Sequence, residues 1–241
     1  LALSTRVLFA AIPELGIGTA LVRFVSKELG RGNKKKAKAY TFYLGKKKFI
    51  LSFISILILL FFSRFISNNF YQKPIFLALL AGALYVIFIQ IFSFLQSIFQ
   101  ALNYFKGIFY EEILFQILRI ILVPSAVIIA LKYSLSGEQI LFYTILMLAI
   151  SFLLSSFSVF LLYNKKIDFI RERSQKITLQ QTKEINRFLL PAATLLFSGI
   201  FFSYIDKIML GHFVPAEFIG YYSAAFGLIG AIISIVGFSA V

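Results

Sequence analysis

Seven long apolar runs organise the chain, at about residues 1–26, 49–67, 75–100, 109–131, 140–163, 187–208 and 217–240. Each is close to the roughly 20 residues an α-helix needs to cross a hydrocarbon core. The runs are continuous rather than alternating, so they predict helices and not the short strands of a membrane β-barrel. The expected fold is an all-α membrane protein, a polytopic transmembrane helix bundle of about seven spans. Two polar stretches interrupt it, 27–48 and 164–186. The second sets Ile167, Ile170 and Ile177 at helical spacing among charges, which predicts a short amphipathic helix on the membrane surface.

Polar residues inside the spans stand out, because such groups are costly in hydrocarbon and turn toward a bundle interior or a cavity. The third span carries Gln90, Ser93, Ser97 and Gln100 on one helix face, with Gln96 and Asn103 nearby. The fourth carries Glu112, Gln116 and Arg119, again on one face. Arg119 lies ten residues into its span, about 15 Å deep at 1.5 Å per residue. Two readings of it stay open: a structural pair with Glu112 bridged by Gln116, or a cation facing a cavity and an anionic substrate. These two stripes are the candidate substrate-binding residues. The first span holds Glu14 near its middle with no partner one turn away, so it needs one on another helix, a proton or water. Arg6, near the outer end, is expected at the interface, and Arg23 is expected to reach the inner one. Asp206, late in the sixth span, reads as a structural cap or part of an outer gate. Glu14 and Asp206 are the candidate ion-coupling or gate residues. Gly227, Gly230, Ser234 and Gly237 form a small-residue seam in the last span, which predicts close helix packing. His212, in the outer turn that follows the sixth span, is expected to be solvated.

Composition supports the membrane reading. Of the 241 residues 60% are hydrophobic and 14% charged, against about 25% charged in a soluble domain. The net charge of +14 would suggest nucleic acid in a soluble protein. Here 17 of the 24 Lys and Arg residues fall on one side of the predicted topology, nine of them in 27–48 and seven in 164–187. That side is cytoplasmic by the positive-inside rule, and anionic lipid is the expected partner of the basic loops. Nucleic acid is not needed to explain the charge. The absence of Cys and the single His remove thiolate sites and His-rich metal clusters. The acids are too scattered for a two-carboxylate enzyme site, and no Gly-rich phosphate loop follows a strand. No catalytic residue and no cofactor are expected.

Two segments carry a resemblance. Residues 13–33, with Leu15-Gly16, a small-residue stretch, Arg23 and a basic loop, resemble the second helix of polysaccharide-biosynthesis flippases. Residues 187–227, with Pro191, Asp206, Leu210-Gly211, Gly220-Tyr221-Tyr222 and Ala224-Ala225, resemble their seventh and eighth helices. These are the lipid-linked oligosaccharide (O-antigen type) flippases of the multidrug/oligosaccharidyl-lipid/polysaccharide exporter superfamily. The resemblance implies two six-helix lobes. On that map 1–163 is a first lobe lacking its first helix, 164–186 a cytoplasmic basic linker, and 187–241 the start of the second lobe. The start at Leu1 and the end at Val241 within an apolar run predict a fragment.

The implied activity is export of a polyprenyl-diphosphate-linked oligosaccharide across the cytoplasmic (inner) membrane, for lipopolysaccharide or another cell-surface polysaccharide. Glycan polymerases or glycosyltransferases are the implied protein partners. A cation-coupled multidrug antiporter and a lipid II flippase of the same superfamily are the alternatives. A membrane-embedded transferase would need an acidic metal motif that the loops do not show.

Overall fold

The computed structural model describes residues 2–238, and the side-chain surroundings of 5–215 and 217–230. The described residues form helices joined by short connections, with no strand among them. The helices are α1 (Ala2–Glu14), α2 (Ile17–Gly30), α3 (Lys34–Phe65), α4 (Phe76–Ala101), α5 (Phe105–Lys132), α6 (Gly137–Tyr163), α7 (Leu179–Phe213) and α8 (Ala216–Phe238). A π-helical stretch, Ile66–Tyr71, extends α3. Six helices or helix pairs are long and apolar enough to cross a membrane, with α1 and α2 forming one path. The apolar α8, 23 residues long, is a seventh. The all-α polytopic bundle is as expected.

The first span differs from the single helix predicted. It breaks at Leu15-Gly16, where Gly16 takes φ 75°, in the left-handed region that costs glycine nothing. Pro13, the penultimate residue of α1, supplies no N–H, so the carbonyl of Phe9 loses its intrahelical donor. Ser55 Oγ donates to that carbonyl at 2.5 Å, and Gln90 Nε2 donates to the next one, Ala10 O, at 2.7 Å. A break at membrane depth persists when neighbouring helices satisfy the freed backbone in this way. Gly16 is also a contact point: a Cβ there would lie 2.7 Å from Ala192 Cβ of α7.

The loop predicted at 27–48 contracts to a turn at 31–33. Asn33 caps α3 by accepting from the Lys36 N–H at 3.2 Å, and α3 runs through the whole lysine-rich stretch. Lys48 is therefore a helical residue inside the bundle, not a loop residue. The amphipathic helix predicted within 164–186 is also absent. The segment makes two short 3₁₀ turns, at 164–166 and 168–171, and α7 starts at Leu179 behind a Thr178–Gln181 capping box. Its isoleucines bury singly: Ile167 is in the core, and Ile170 and Ile177 pack against it. The sixth span is accordingly 35 residues, 179–213, rather than 187–208.

Helix α4 is the hub and packs against α1, α2, α3, α5 and α6. Two apolar clusters form around it. One joins Ala10, Ile56, Leu59, Leu79, Val86, Phe92, Phe115 and Phe152, and the other Ile17, Leu21, Phe24, Leu44, Ile98, Phe99, Phe169 and Ile185. Phe115 and Phe152 stack at 4.1 Å and tie α5 to α6. Helix α7 leans on α1 and α2, and among its described residues Ile185 and Gly211 are buried. The predicted seam in α8 is not a packed one at Gly227 and Gly230, where an added Cβ would meet open space. At Ser234 and Gly237 side-chain surroundings lie outside the described residues.

Candidate functional site

The two apolar clusters are separated by a polar layer. On α4 it is Gln90 and Ser93; on α3 it is Lys48, Ser52 and Ser55; on the first span it is Glu14, at the end of α1. Lys48 is 0% exposed. Its Nζ donates to Glu14 Oε2 at 2.8 Å and to Ser93 Oγ at 2.7 Å. Glu14 thus has the interhelical partner its sequence context demanded, and the partner is a lysine that the charge count had placed in the cytoplasmic loop. Ion pairing removes two isolated charges from an apolar interior at once.

The stripe of the third span turns toward α1 and α2, not toward α5. Gln90 binds the Ala10 carbonyl, and Ser93 binds Glu14 and Lys48. Ser97 donates to Ser93 O at 2.8 Å and, with Gln100, lines a cleft of about 350 Å³ together with Glu14, Gly18, Thr19, Val22 and Arg23. Arg23 lies with its guanidinium 4.6 Å over the Phe188 ring, joining α2 to α7. Gln96, one step off the stripe, is the residue that reaches α5, with Nε2 3.5 Å from Glu112 Oε2.

On α5, Gln116 donates to Glu112 at 2.8 Å. Arg119 makes no ion pair with Glu112 among the described residues, so the bridged pair considered from sequence does not form. Its guanidinium lies 5.6 Å over the Phe115 ring, and it borders a second cavity of about 390 Å³ with Arg6, Ile120, Val123, Pro124, Thr144, Ile145 and Leu148. Arg6 is the larger correction. Expected at the interface, it is 0% exposed and sits 3.9 Å over the Tyr85 ring. Its Nε, Nη1 and Nη2 lack any hydrogen-bond partner among the described residues. The ring's quadrupole offsets part of the charge but leaves all five N–H donors unused.

Sequence reasoning also missed a buried acid, Glu111. It is 0% exposed in the α5–α6 contact, where Ser156 Oγ donates to Oε1 at 2.9 Å and Ser155 Oγ donates to its backbone carbonyl at 2.6 Å. Its Oε2 has no hydrogen-bond partner among the described residues. Asp206 accepts a hydrogen bond from Tyr222 and so ties α7 to α8. His212 is exposed, as expected, and is also engaged: its Nδ1 lies 2.7 Å from the Phe70 carbonyl. Beside it Lys73 donates to the carbonyls of Gly211 and Val214, both at 2.7 Å, and its partial burial pushes the ammonium below its usual range. At the opposite end Lys34 donates to Asp168 at 2.7 Å, and this hydrogen bond holds the Asp168 carboxyl below the usual carboxylate range. Lys38 donates to Glu172 O at 2.7 Å and Lys47 to Asn186 at 2.5 Å. Helix α7 is therefore fastened to the rest of the bundle near both ends. No group of three or more His, Cys, Asp or Glu with metal-binding placement occurs among the described residues.

The family profile described as polysaccharide biosynthesis protein matches residues 1–241. The chain belongs to that family. Membership and the multi-helix membrane fold together place it with transporter-type proteins of polysaccharide biosynthesis. No curated protein and no solved structure matches the chain.

Proposed function

We propose that the protein exports a polyprenyl-diphosphate-linked oligosaccharide across the cytoplasmic (inner) membrane for cell-surface polysaccharide synthesis. The observation that carries this reading is Arg6, a buried guanidinium with no hydrogen-bond acceptor among the described residues, in the wall of a cavity that also holds Arg119. A diphosphate supplies the acceptors this wall lacks, and guanidinium–phosphate pairs are among the strong charge-assisted hydrogen bonds. Arg119 is exposed and Arg6 sealed in this conformation, so Arg119 meets an incoming anion first and Arg6 after a rearrangement. The polyprenyl tail stays in lipid, while the head group needs a polar route to avoid unsatisfied polar groups in hydrocarbon. On this reading residues 1–163 act as one lobe and the chain from α7 onward as the start of another, and rocking between them gives alternating access. Outward movement of two negative charges gains about 2.3 kcal/mol per charge per 100 mV of inside-negative potential.

The engagement of Glu14 by Lys48 weighs against a multidrug antiporter, which needs an acid free to meet organic cations. The test replaces Arg119 with Ala and with Lys in the full-length protein, scoring membrane abundance and surface glycan. Loss of glycan at normal abundance in Arg119→Ala, with partial retention in Arg119→Lys, is expected. Undiminished glycan in both overturns the reading.

A further inference from the structure

The cleft between α2 and α4 differs in kind from the arginine-walled cavity. Glu14 sits at its inner wall with a divided carboxylate. Oε2 is taken by Lys48 and Ser93, whereas Oε1 accepts no hydrogen bond among the described residues and lies against Gly18. A Cβ at Gly18 would be 2.6 Å from that Oε1 and 3.0 Å from Ser97 Oγ, so glycine at this position holds the space between the two oxygens open. Ser97 spends its proton on Ser93 O and keeps its lone pairs. The side chains of Thr19 and Gln100 make no hydrogen bond among the described residues and are exposed to the cleft.

The charges at this place select the ligand. Lys48 already neutralises Glu14, and Arg23 stands at the cleft, so a metal or organic cation gains little. The carboxylate oxygen at the wall disfavours an anion. What remains is a neutral group that donates to Glu14 Oε1 and both donates to and accepts from hydroxyl and amide side chains. We propose that the cleft of Glu14, Thr19, Ser97 and Gln100 beside Gly18 binds a neutral, hydroxyl-rich group, the sugar portion of the exported glycan. The substrate class rests on the export reading above. Arg6 and Glu14 lie eight residues apart, about 12 Å along the first span, so one broken helix carries the phosphate-facing and sugar-facing contacts.

The test uses the absence of Cys in the chain. Thr19→Cys reports on the cleft and Val123→Cys on the arginine cavity, each in the full-length protein, with any cysteine outside these 241 residues replaced by Ser, in nanodiscs labelled with a maleimide. The probes are polyprenyl diphosphate alone and the polyprenyl-diphosphate oligosaccharide extracted from the host membrane. The oligosaccharide-bearing lipid is expected to slow labelling at both cysteines at least fivefold, and the bare diphosphate at Val123→Cys alone. Adding Ser97→Ala to Thr19→Cys is expected to raise the half-protecting concentration at the cleft severalfold. Protection of Thr19→Cys by bare diphosphate, or by sodium in place of potassium, overturns the proposal. Protection confined to Val123→Cys also overturns it while leaving the export reading standing. Protection of neither cysteine overturns both.

Discussion

Two cations are sealed inside this bundle, and they are held in opposite ways. Lys48 has a carboxylate at 2.8 Å and a hydroxyl at 2.7 Å. Arg6 has an aromatic ring and, among the described residues, no acceptor. The first arrangement is complete: charge and donors are met by neighbours on α1 and α4, and it holds a broken helix in place. The second is incomplete. A charge left unsatisfied in an apolar setting is costly, and its persistence points to a partner that arrives from outside. On the export reading, the contrast separates residues that build the bundle from residues that await a ligand.

Breaking the complete site has the largest expected effect. Lys48→Met strands the Glu14 carboxylate and is expected to cost about 3–5 kcal/mol of stability, the usual penalty for half of a buried pair. The double variant Glu14→Gln/Lys48→Met recovers most of that loss. Unfolding in mixed micelles by increasing SDS measures both. Equal midpoints for Lys48→Met and wild type would break the contrast.

Arg6→Met sharpens it from the other side. The cation–π contact, worth about 0.5–2 kcal/mol, is lost, but so is the unpaired charge. The unfolding midpoint is expected to stay within about 1 kcal/mol of wild type. Export falls by about tenfold or more, the loss of one charge-assisted hydrogen bond of about 1.5–3 kcal/mol. Translocation of a fluorescent lipid-linked oligosaccharide in proteoliposomes reads this directly.

The fastenings of α7 come next. Lys73→Met removes two hydrogen bonds from a charged donor to the end of α7, nominally about 1.5 kcal/mol or more each. Amide hydrogen exchange is expected to rise by about tenfold over 205–214 and to stay unchanged near Ile185, which is anchored by the apolar cluster. A uniform rise along α7 would show that its two ends are one cooperative unit.

The Lys34–Asp168 contact is exposed and is the smallest effect. Because Asp168 is held below its ordinary value of about 3.9, its contribution is full above that pH. It is lost as pH falls through the lower folded value. A spin label at Ser174→Cys is expected to gain mobility between pH 5 and about pH 2, while Asp168→Asn is mobile throughout. Equal mobility of the Asp168→Asn variant and wild type at neutral pH would show the pair to be idle.

The apolar runs were legible because bilayer thickness sets helix length, and that relation needs no knowledge of neighbours. The demand for a partner of Glu14 was legible too, since Ala10 and Gly18 cannot serve. The identity of the partner was not. Lys48 closes a run of three lysines that any charge count places in a loop, and only the helical phase of α3 separates it from Lys46 and Lys47. Arg6 misled for a similar reason. Its position near the start of a span suggests an interface, but the packing of α1 against Gly82 and Tyr85 of α4 carries it inward. Ile167, Ile170 and Ile177 have helical spacing, yet they lie in and beside short 3₁₀ turns and irregular backbone, each packed into or against the core.

Hydropathy and charge asymmetry alone therefore determined an all-helical, multi-pass membrane protein with polar faces on its third and fourth spans, because burying apolar surface and anchoring basic loops are sums over residues. Tertiary structure alone decided which polar groups meet. The break at Pro13 and Gly16, the Glu14–Lys48 pair, the unpartnered Arg6 and the open cleft beside Gly18 all depend on the register between helices far apart in sequence. A difference of one residue there exchanges the bundle interior for lipid.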